Sequence, residues 1–404
     1  MASPLDGIRI LEFGQYQQAP AAAALLGDLG AEVIKIEEPG KGDLGRTLER
    51  SGGMSTIING WNVYFESFNR NKKSITLNFR TSEAKEILYK LVKKSDVFIT
   101  NSRVGVPKKL GLGYEDLVKH NPRLIYVHSS GLGRKGPDST IPSLDYMFQA
   151  RSALMANIAE DGTVPIVGPI GTADQIGSMA SAFAVIAGLL VRERTGIGQE
   201  INVSALGASI WAQQQPIEVA LLSKQLITKP SRKQAENPIW NHYRCRDGRW
   251  VAFAMAQGDR FWPDFCKAIG HEELITDERF STSTKRAENK AVIIKQLDDI
   301  FITKDLDDWL DAFRKGGELM YSPVNTIQDL PSDPQVVENK YIVDYDHPSQ
   351  GKIKVVNAPF DFSKNDVGPR SPAPELGQNT EEVLMELLGY SWEDVAKFKD
   401  LNAI

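Results

Sequence analysis

Residues 8–37 read "IRILEFGQYQQAPAAAALLGDLGAEVIKIE". The first six, "IRILEF" (8–13), are apolar and branched, which predicts a strand. "APAAAALLGDLG" (19–30) is small, apolar and stops on glycine, the pattern of a helix with a glycine end. "AEVIKIE" (31–37) returns to strand character. The alternation continues through "KSITLNF" (73–79), a helix at "SEAKEILYKLVKKS", the strand "DVFIT" (96–100), a helix around "YEDLVKHN" and the strand "RLIYVHSSG" (123–131). Strands separated by helices of this length predict an α/β fold on a parallel, Rossmann-like doubly wound sheet. Ligands of such sheets lie at the carboxyl ends of the strands.

Composition shifts at "SKQLITKPSRKQAENP" (223–238), which is polar, basic and broken by prolines. The expected organisation is a large α/β domain over 1–225, a linker and smaller α+β domain over 226–330, and a return segment, 331–404, that completes the large domain. Within the middle block "YRCRDGRWVAFAMA" reads as a β-hairpin turning at Asp247 and Gly248. Helices are expected at "FWPDFCKAIG" and "ENKAVIIKQLDDIF". A polar, turn-rich crossing is expected over 328–350, and a helix pair at "TEEVLMELLGYSWEDVAKFK".

The chain has 404 residues, 42% hydrophobic and 25% charged, with a net charge of −5. These values suit an ordinary soluble globular protein and argue against nucleic acid as the main partner. The opening "MASPLDGIRILEF" lacks the basic and then apolar regions of a secretory leader. The longest apolar run, Met179–Val191, is interrupted by Ser181 and Gly188 and falls short of a membrane span. A cytoplasmic protein without membrane contact is expected, and the two cysteines, Cys245 and Cys266, suit buried thiols there. The five histidines are scattered without metal-ligand spacing, so no metal is expected. No G-x-S-x-G elbow supports a serine hydrolase. An NAD-dependent Rossmann oxidoreductase is the first alternative, since Glu37 follows Gly14 at the right distance. It fails because Gly14 is followed by Gln-Tyr-Gln-Gln-Ala-Pro, without the further glycines a pyrophosphate requires.

Two features point to chemistry. "GPIGTADQIGSMASAFAVIAGLL" (168–190) holds one charge, Asp174, at the mouth of an apolar helix. Asp174 is either the helix cap or a reactive carboxylate held by the first-turn N–H groups. The loops after the predicted strands, "GQYQQAP", "EPGKGD", "NSRVG" and "SSGLGRKGP", bring Gln17, Lys41, Arg103, Lys108, Lys109, Arg134 and Lys135 to one rim. Cations on such a rim suit a phosphate-bearing ligand.

Along "GIRILEFGQYQQAP", "GAEVIKIEEPGKGD", "NRNKKSITLNFR", "SDVFITNSRVG", "LGLGYEDLVKHNPRLIYVHSSGLGRKGP" and "GTADQIGSMASAFAVIAGLLVRERTGIGQEINVS" the chain resembles the class III CoA-transferases, the formyl-CoA transferase or CaiB/BaiF family. The likeness resumes at "YRCRDGRWVAF" and "APELGQNTEEVLMELLGY" and is collinear over nearly the whole chain. It implies a CoA-transferase that moves CoA from an acyl-CoA to a carboxylic acid, with CoA as substrate and no permanently bound cofactor. Asp174 takes the place of the family's nucleophile, passing through an aspartyl anhydride and an aspartyl-CoA thioester. Gln17 and Gln18 match the first CoA-contacting loop. Leu77, Asn78, Phe79 and Arg80 match the segment after the third strand. Asn101, Ser102 and Arg103 match the next strand end, with Lys109 beyond as a phosphate partner.

At Glu38 the chain departs from relatives that carry Arg, and "SRVG" replaces "FRPG". Pro142, Ser143, Leu144 and Asp145 match acyl-pocket positions, with a loop cap as the other reading of Asp145. "AMAQGDR" (254–260) lies where the family carries a glycine-rich loop. The apolar, aromatic stretch "PSLDYMFQARSALMA" (142–156) favours a bulky acid, and Arg151 is placed to hold a second carboxylate. Together they point to an arylsuccinate such as benzylsuccinate, with succinyl-CoA as donor. The resemblance also implies an interlocked homodimer. Heteromers with a homologous subunit exist in the family, and a non-catalytic structural subunit is a further alternative, against which Asp174 argues.

Overall fold

The computed structural model describes residues 3–227 and 229–404; Met1 and Ala2 of the N-terminal reading and Thr228 of the expected linker lie outside the described residues. The chain divides into two compact units. The first comprises Met1–Ile158, Pro165–Ile227 and Lys340–Ile404, and the second Ala159–Val164 and Thr228–Asn339.

The first unit is built on six strands: β1 (Arg9–Phe13), β2 (Glu32–Glu37), β3 (Lys72–Thr76), β4 (Val97–Thr100), β5 (Ile125–Ser130) and β6 (Gln199–Ser204). They form one parallel sheet in the order β3-β2-β1-β4-β5-β6. This is the doubly wound order, and it reverses direction between β1 and β4, where a crevice opens at the carboxyl ends.

Side chains of a strand alternate between faces, so neighbours in sequence serve different cores. Ile10, Val33, Val97 and Ile125 pack on one face, against Ala19, Ala22, Ala23 and Leu26 of helix α1 (Gln18–Asp28). Leu11, Ile34, Phe98 and Tyr126 pack on the other, against Ile87, Leu88 and Leu91 of α3 (Ser82–Lys93) and Phe398 of the last helix. Between them in sequence, α2 (Val63–Asn69) begins at Asn62, whose side chain accepts the Phe65 N–H. The region 44–69 carries no sequence signal strong enough to predict it. The helix expected around "YEDLVKHN" shrinks to Tyr114–Leu117, because the chain turns through Asn121 and Pro122 into β5.

The "GPIGTADQ" segment leads into the longest helix, which follows α4 (Asp145–Arg151) and is α5 (Thr172–Thr195). By length and composition α5 could cross a membrane, which the interrupted apolar run in the sequence understates. In the fold one of its faces is spent on the sheet, through Ala182, Val185 and Leu189. Gly188 makes that approach possible: a Cβ there would stand 2.8 Å from side-chain carbons of both Ile125 and Ile201.

The second unit carries a three-stranded antiparallel sheet, β7 (His242–Arg244), β8 (Trp250–Phe253) and β9 (Tyr321–Pro323). Phe253, Phe265, Phe301, Trp309 and Phe313 form its core. The hairpin turn falls at Asp247–Gly248, where the Asp247 carboxylate accepts the Arg249 N–H. In the loop 254–260, Asp259 pairs with buried Arg286 as the helix Gly258–Ile269 begins.

The return segment opens with a hairpin, β10 (Ile342–His347) and β11 (Gly351–Val356). The structure therefore corrects the expectation of a plain crossing over 328–350, which contains the helix Pro334–Glu338 and β10. Asp333 caps that helix by accepting the N–H groups of Gln335 and Val336. The first member of the expected C-terminal helix pair is irregular, Thr380–Glu382 running into Val383–Leu387, while the second is Trp392–Asp400.

Candidate functional site

Asp145 lies in the first turn of α4 and is buried. Its Oδ2 accepts the Gly171 N–H at 2.8 Å, and its Oδ1 accepts those of Ala173 at 2.8 Å and Asp174 at 3.1 Å. Gln149, one turn along α4, donates to Oδ2 at 2.7 Å and accepts the Gly168 N–H at 2.9 Å. The mouth of α5 is thus capped from a different helix. Gly171 turns the chain into α5 at φ +89°, and a Cβ on it would collide at 2.5 Å with the amide of Gln17.

Capping by Asp145 leaves Asp174 uncommitted. It is half-buried, and its carboxylate has no hydrogen-bond partner among the described residues. The cap reading for Asp174 is therefore corrected. Burial, and then the negative charge of Asp145, push its carboxyl up to about 7. The expectation that first-turn N–H groups serve a reacting oxygen is corrected too. Asp145 takes those of Ala173 and Asp174 as well as that of the Gly171 cap, and the Thr172 and Gln175 N–H groups bond to the carbonyls of Pro169 and Gly171. Tyr64 of α2, which sequence reasoning missed, is close enough for the charge of Asp174 to act on it. Burial and that charge raise its phenol, so it keeps its proton.

The loop after β1 meets this turn. Gln17 is buried and donates from Nε2 to the Gly171 carbonyl at 3.1 Å. Gln18 is also buried; its amide reaches the Ser130 carbonyl at 3.5 Å and its own carbonyl accepts the Ser178 hydroxyl at 2.8 Å. Asn101, at the end of β4, exchanges two hydrogen bonds with the backbone of Gln15, at 2.9 and 2.8 Å. The carbonyl of Ser102 pairs with His128 Nε2 at 2.7 Å.

Leu77 and Phe79 point into the core, Phe79 edge-on to Phe13 at 5.5 Å, while Asn78 donates to the Asn402 carbonyl. Arg80 is exposed, with Glu38 3.9 Å away. Arg103, Lys108 and Lys109 are exposed and have no ion-pair partner among the described residues. By contrast, Lys41 faces Glu38, and Arg134 is tied to Glu200 and Asn202. Glu37, the acid at Rossmann ribose spacing, is buried and bonded to Arg46 and Ser74, which hold it down at about 2 against the opposing effect of burial. It has no free oxygen for a ribose.

Among the acyl-pocket candidates, Pro142 and Leu144 are exposed, Ser143 is half-buried and Asp145 is occupied as described. Arg151 does not present itself for a second carboxylate. It lies on the outer face of α4 and pairs with Asp138.

The raised carboxyl of Asp174 has a consequence for stability. The folded chain keeps that proton up to about pH 7, whereas an ordinary aspartate releases it near 3.8, so the contribution is full below 3.8 and lost as pH rises to 7. Asp174→Asn removes the loss. Near pH 8 the variant should melt a few degrees above the parent, with the gap closing toward about pH 4. Calorimetry showing equal melting temperatures at both pH values would contradict a raised Asp174.

The family model described as CoA-transferase family III matches residues 5–380. An (R)-2-hydroxy-4-methylpentanoate CoA-transferase of Clostridioides difficile is 32% identical over 403 residues, covering 99% of both chains. A succinyl-CoA:glutarate CoA-transferase of Mus musculus is 33% identical over 387 residues, 96% of this chain and 87% of the mouse protein. The crystal structure of a CaiB/BaiF family protein from Brucella suis superposes with a TM-score of 0.85 at 30% identity, covering 96% of this chain and all of that one. With the doubly wound sheet and the uncommitted carboxylate at its helix mouth, the chain belongs to the class III CoA-transferases.

Proposed function

We propose that the protein transfers CoA from an acyl-CoA donor to a carboxylic acid acceptor with Asp174 as the nucleophile. The observation that carries this reading is that Asp145 caps α5 and leaves Asp174 free with a carboxyl raised to about 7. A carboxylate of raised pKa is a better nucleophile than an ordinary one. An oxygen of ionised Asp174 attacks the thioester carbonyl, and the C–S bond breaks to give an aspartyl–acyl anhydride and CoA thiolate. The thiolate attacks the Asp174 carbonyl carbon and expels the donor acid, leaving an aspartyl-CoA thioester. The acceptor carboxylate then attacks that thioester and releases the thiolate. Attack of the thiolate on the acceptor's carbonyl frees Asp174 and forms the new acyl-CoA. No proton is consumed, so the rate should rise with pH as Asp174 ionises near 7.

The phosphates of CoA are read as lying on the unpaired rim cations, Arg103, Lys108 and Lys109, beside the braced loops at 14–18 and 101–103. The acceptor is read as a bulky acid with an apolar tail. The apolar, aromatic stretch 142–156 supports this, whereas the pairing of Arg151 with Asp138 removes the support for a second carboxylate such as that of benzylsuccinate. Succinyl-CoA, the donor named for the mouse relative, heads the panel to be tried. Cys245 and Cys266, both free and buried, fit a reducing compartment such as the cytoplasm.

Two copies are read as interlocked. Phe183 on the outer face of α5 is 73% exposed, and Trp211, Leu222 and Leu226 are 75%, 85% and 87% exposed. Apolar side chains at this density call for a cover, and a second chain supplies one. Light scattering should therefore give twice the chain mass of 44.7 kDa; a single-chain mass overturns this.

Asp174→Ala should lose transfer by a factor of at least about a thousand while remaining folded. In the parent, hydroxylamine added with acyl-CoA should convert Asp174 to a hydroxamate, read by peptide mass spectrometry over 168–192. An unmodified peptide from enzyme that turns over at full rate defeats the covalent route.

Arg103→Ala should raise KM for the acyl-CoA about tenfold with kcat little changed, since a remote phosphate contact binds ground and transition states alike. An unchanged KM for every CoA ester tested would make Arg103 ordinary surface charge.

A further inference from the structure

Four residues, Gly14–Gln17, link the end of β1 to α1, and each is held by a different element. Lys35, wholly buried on β2, donates to the Gly14 carbonyl at 3.2 Å. Asn101 grips both backbone groups of Gln15. Asp43, buried in the loop after β2, accepts the Tyr16 N–H at 2.8 Å. Gln17 reaches Gly171, three residues before Asp174. Tyr16 itself sits at φ +62°, a left-handed conformation that a residue with a side chain adopts only when its surroundings impose it.

The two buried members are joined. Lys35 Nζ lies 2.8 Å from Asp43 Oδ2 and 3.1 and 3.2 Å from the Glu12 oxygens, and Lys72 also bonds to Glu12, at 3.0 Å. Asp43 completes its set by accepting the Gly45 N–H at 2.8 Å. Burying this many charges is a poor way to gain stability, because an apolar replacement of similar volume serves as well or better. What the charges do here that a leucine could not is fix two backbone groups of the loop that touches the Asp174 turn.

We propose that Lys35 and Asp43 are positioning residues for CoA transfer: together they hold the Gly14–Gln17 loop in its strained form and so set Gln17 against the turn that carries Asp174. The proposal rests on the reading of Asp174 as nucleophile. Displacing a reacting group by about 1 Å can slow a step on the order of a hundredfold.

Two variants separate position from stability. Asp43→Glu keeps the charge but moves the acceptor by one methylene. Lys35→Met combined with Asp43→Asn keeps the local charge balance but releases Gly14 and removes the ion pair. Each is mixed with saturating succinyl-CoA, and with other donors of the panel if the parent prefers them, and the rate of covalent CoA attachment is followed by intact mass. Thermal melting is measured alongside.

The expected result is a double variant that melts near the parent and loads CoA at least about tenfold more slowly, with Asp43→Glu slowed likewise. Loading at the parent rate in both variants overturns the proposal. So does loss of folding in the charge-balanced double variant, which would make the brace a stability element. A parent that transfers CoA without ever forming an adduct defeats the nucleophile reading instead. In that case kcat of the same variants still decides the brace, with parent-like kcat overturning it.

Discussion

The carboxylate of Asp145 accepts four hydrogen bonds, three of them from the opening of α5. A helix N-terminus attracts one negative group strongly, because its N–H groups lack partners within the helix. Asp145 fills that demand from α4. The consequence falls on Asp174, which stands at the same helix mouth and receives none of the stabilisation. It feels burial and the charge of its neighbour, both of which favour its protonated form. Two aspartates at one helix end therefore have opposite characters, one satisfied by its donors, the other without a hydrogen-bond partner among the described residues and with its carboxyl raised to about 7.

That arrangement depends on close packing between elements far apart in sequence. Gly188 lets α5 lie against β5 and β6, and the small residues of α1 let it share the same face of the sheet. The loop after β1 can then reach Gly171, and the reversal of strand order between β1 and β4 places Asn101 beside Gln15. The polar groups at this end of the sheet divide by exposure. Glu12, Lys35, Asp43 and Lys72 are buried and ion-paired with one another, whereas Arg103, Lys108 and Lys109 face solvent without carboxylate partners among the described residues. Burial depresses Lys72 to about 8, while Asp43 and Glu12 raise Lys35 against its own burial. The inner set shapes the loops, and the outer set is available to a ligand.

Much of this was legible in the chain. The first five strands followed from runs of branched residues between helical patterns, and the helix after Asp174 from its small and apolar composition. The isolated charge at 174 marked the helix mouth. Other parts had no local signal. Tyr64 lies in a short helix whose sequence, "VYFESFN", has no periodicity to distinguish it from a loop. Arg151 looked like a second anion contact because sequence shows its neighbours along the chain but hides Asp138 across the turn. Gln17, Gln18 and Asn101 stood out as polar residues at strand ends, yet their side chains bond to backbone of this chain.

The sequence by itself determined the strand and helix succession, hence the doubly wound sheet, and it singled out Asp174 because a lone carboxylate beside an apolar helix is conspicuous in one dimension. The tertiary structure alone decided which of two aspartates caps the helix and which is left free. Hydrogen-bond donors at a helix mouth are claimed by whichever acceptor the fold delivers. Asp145 is delivered by α4, 29 residues away from Asp174 along the chain, through packing that no local pattern records.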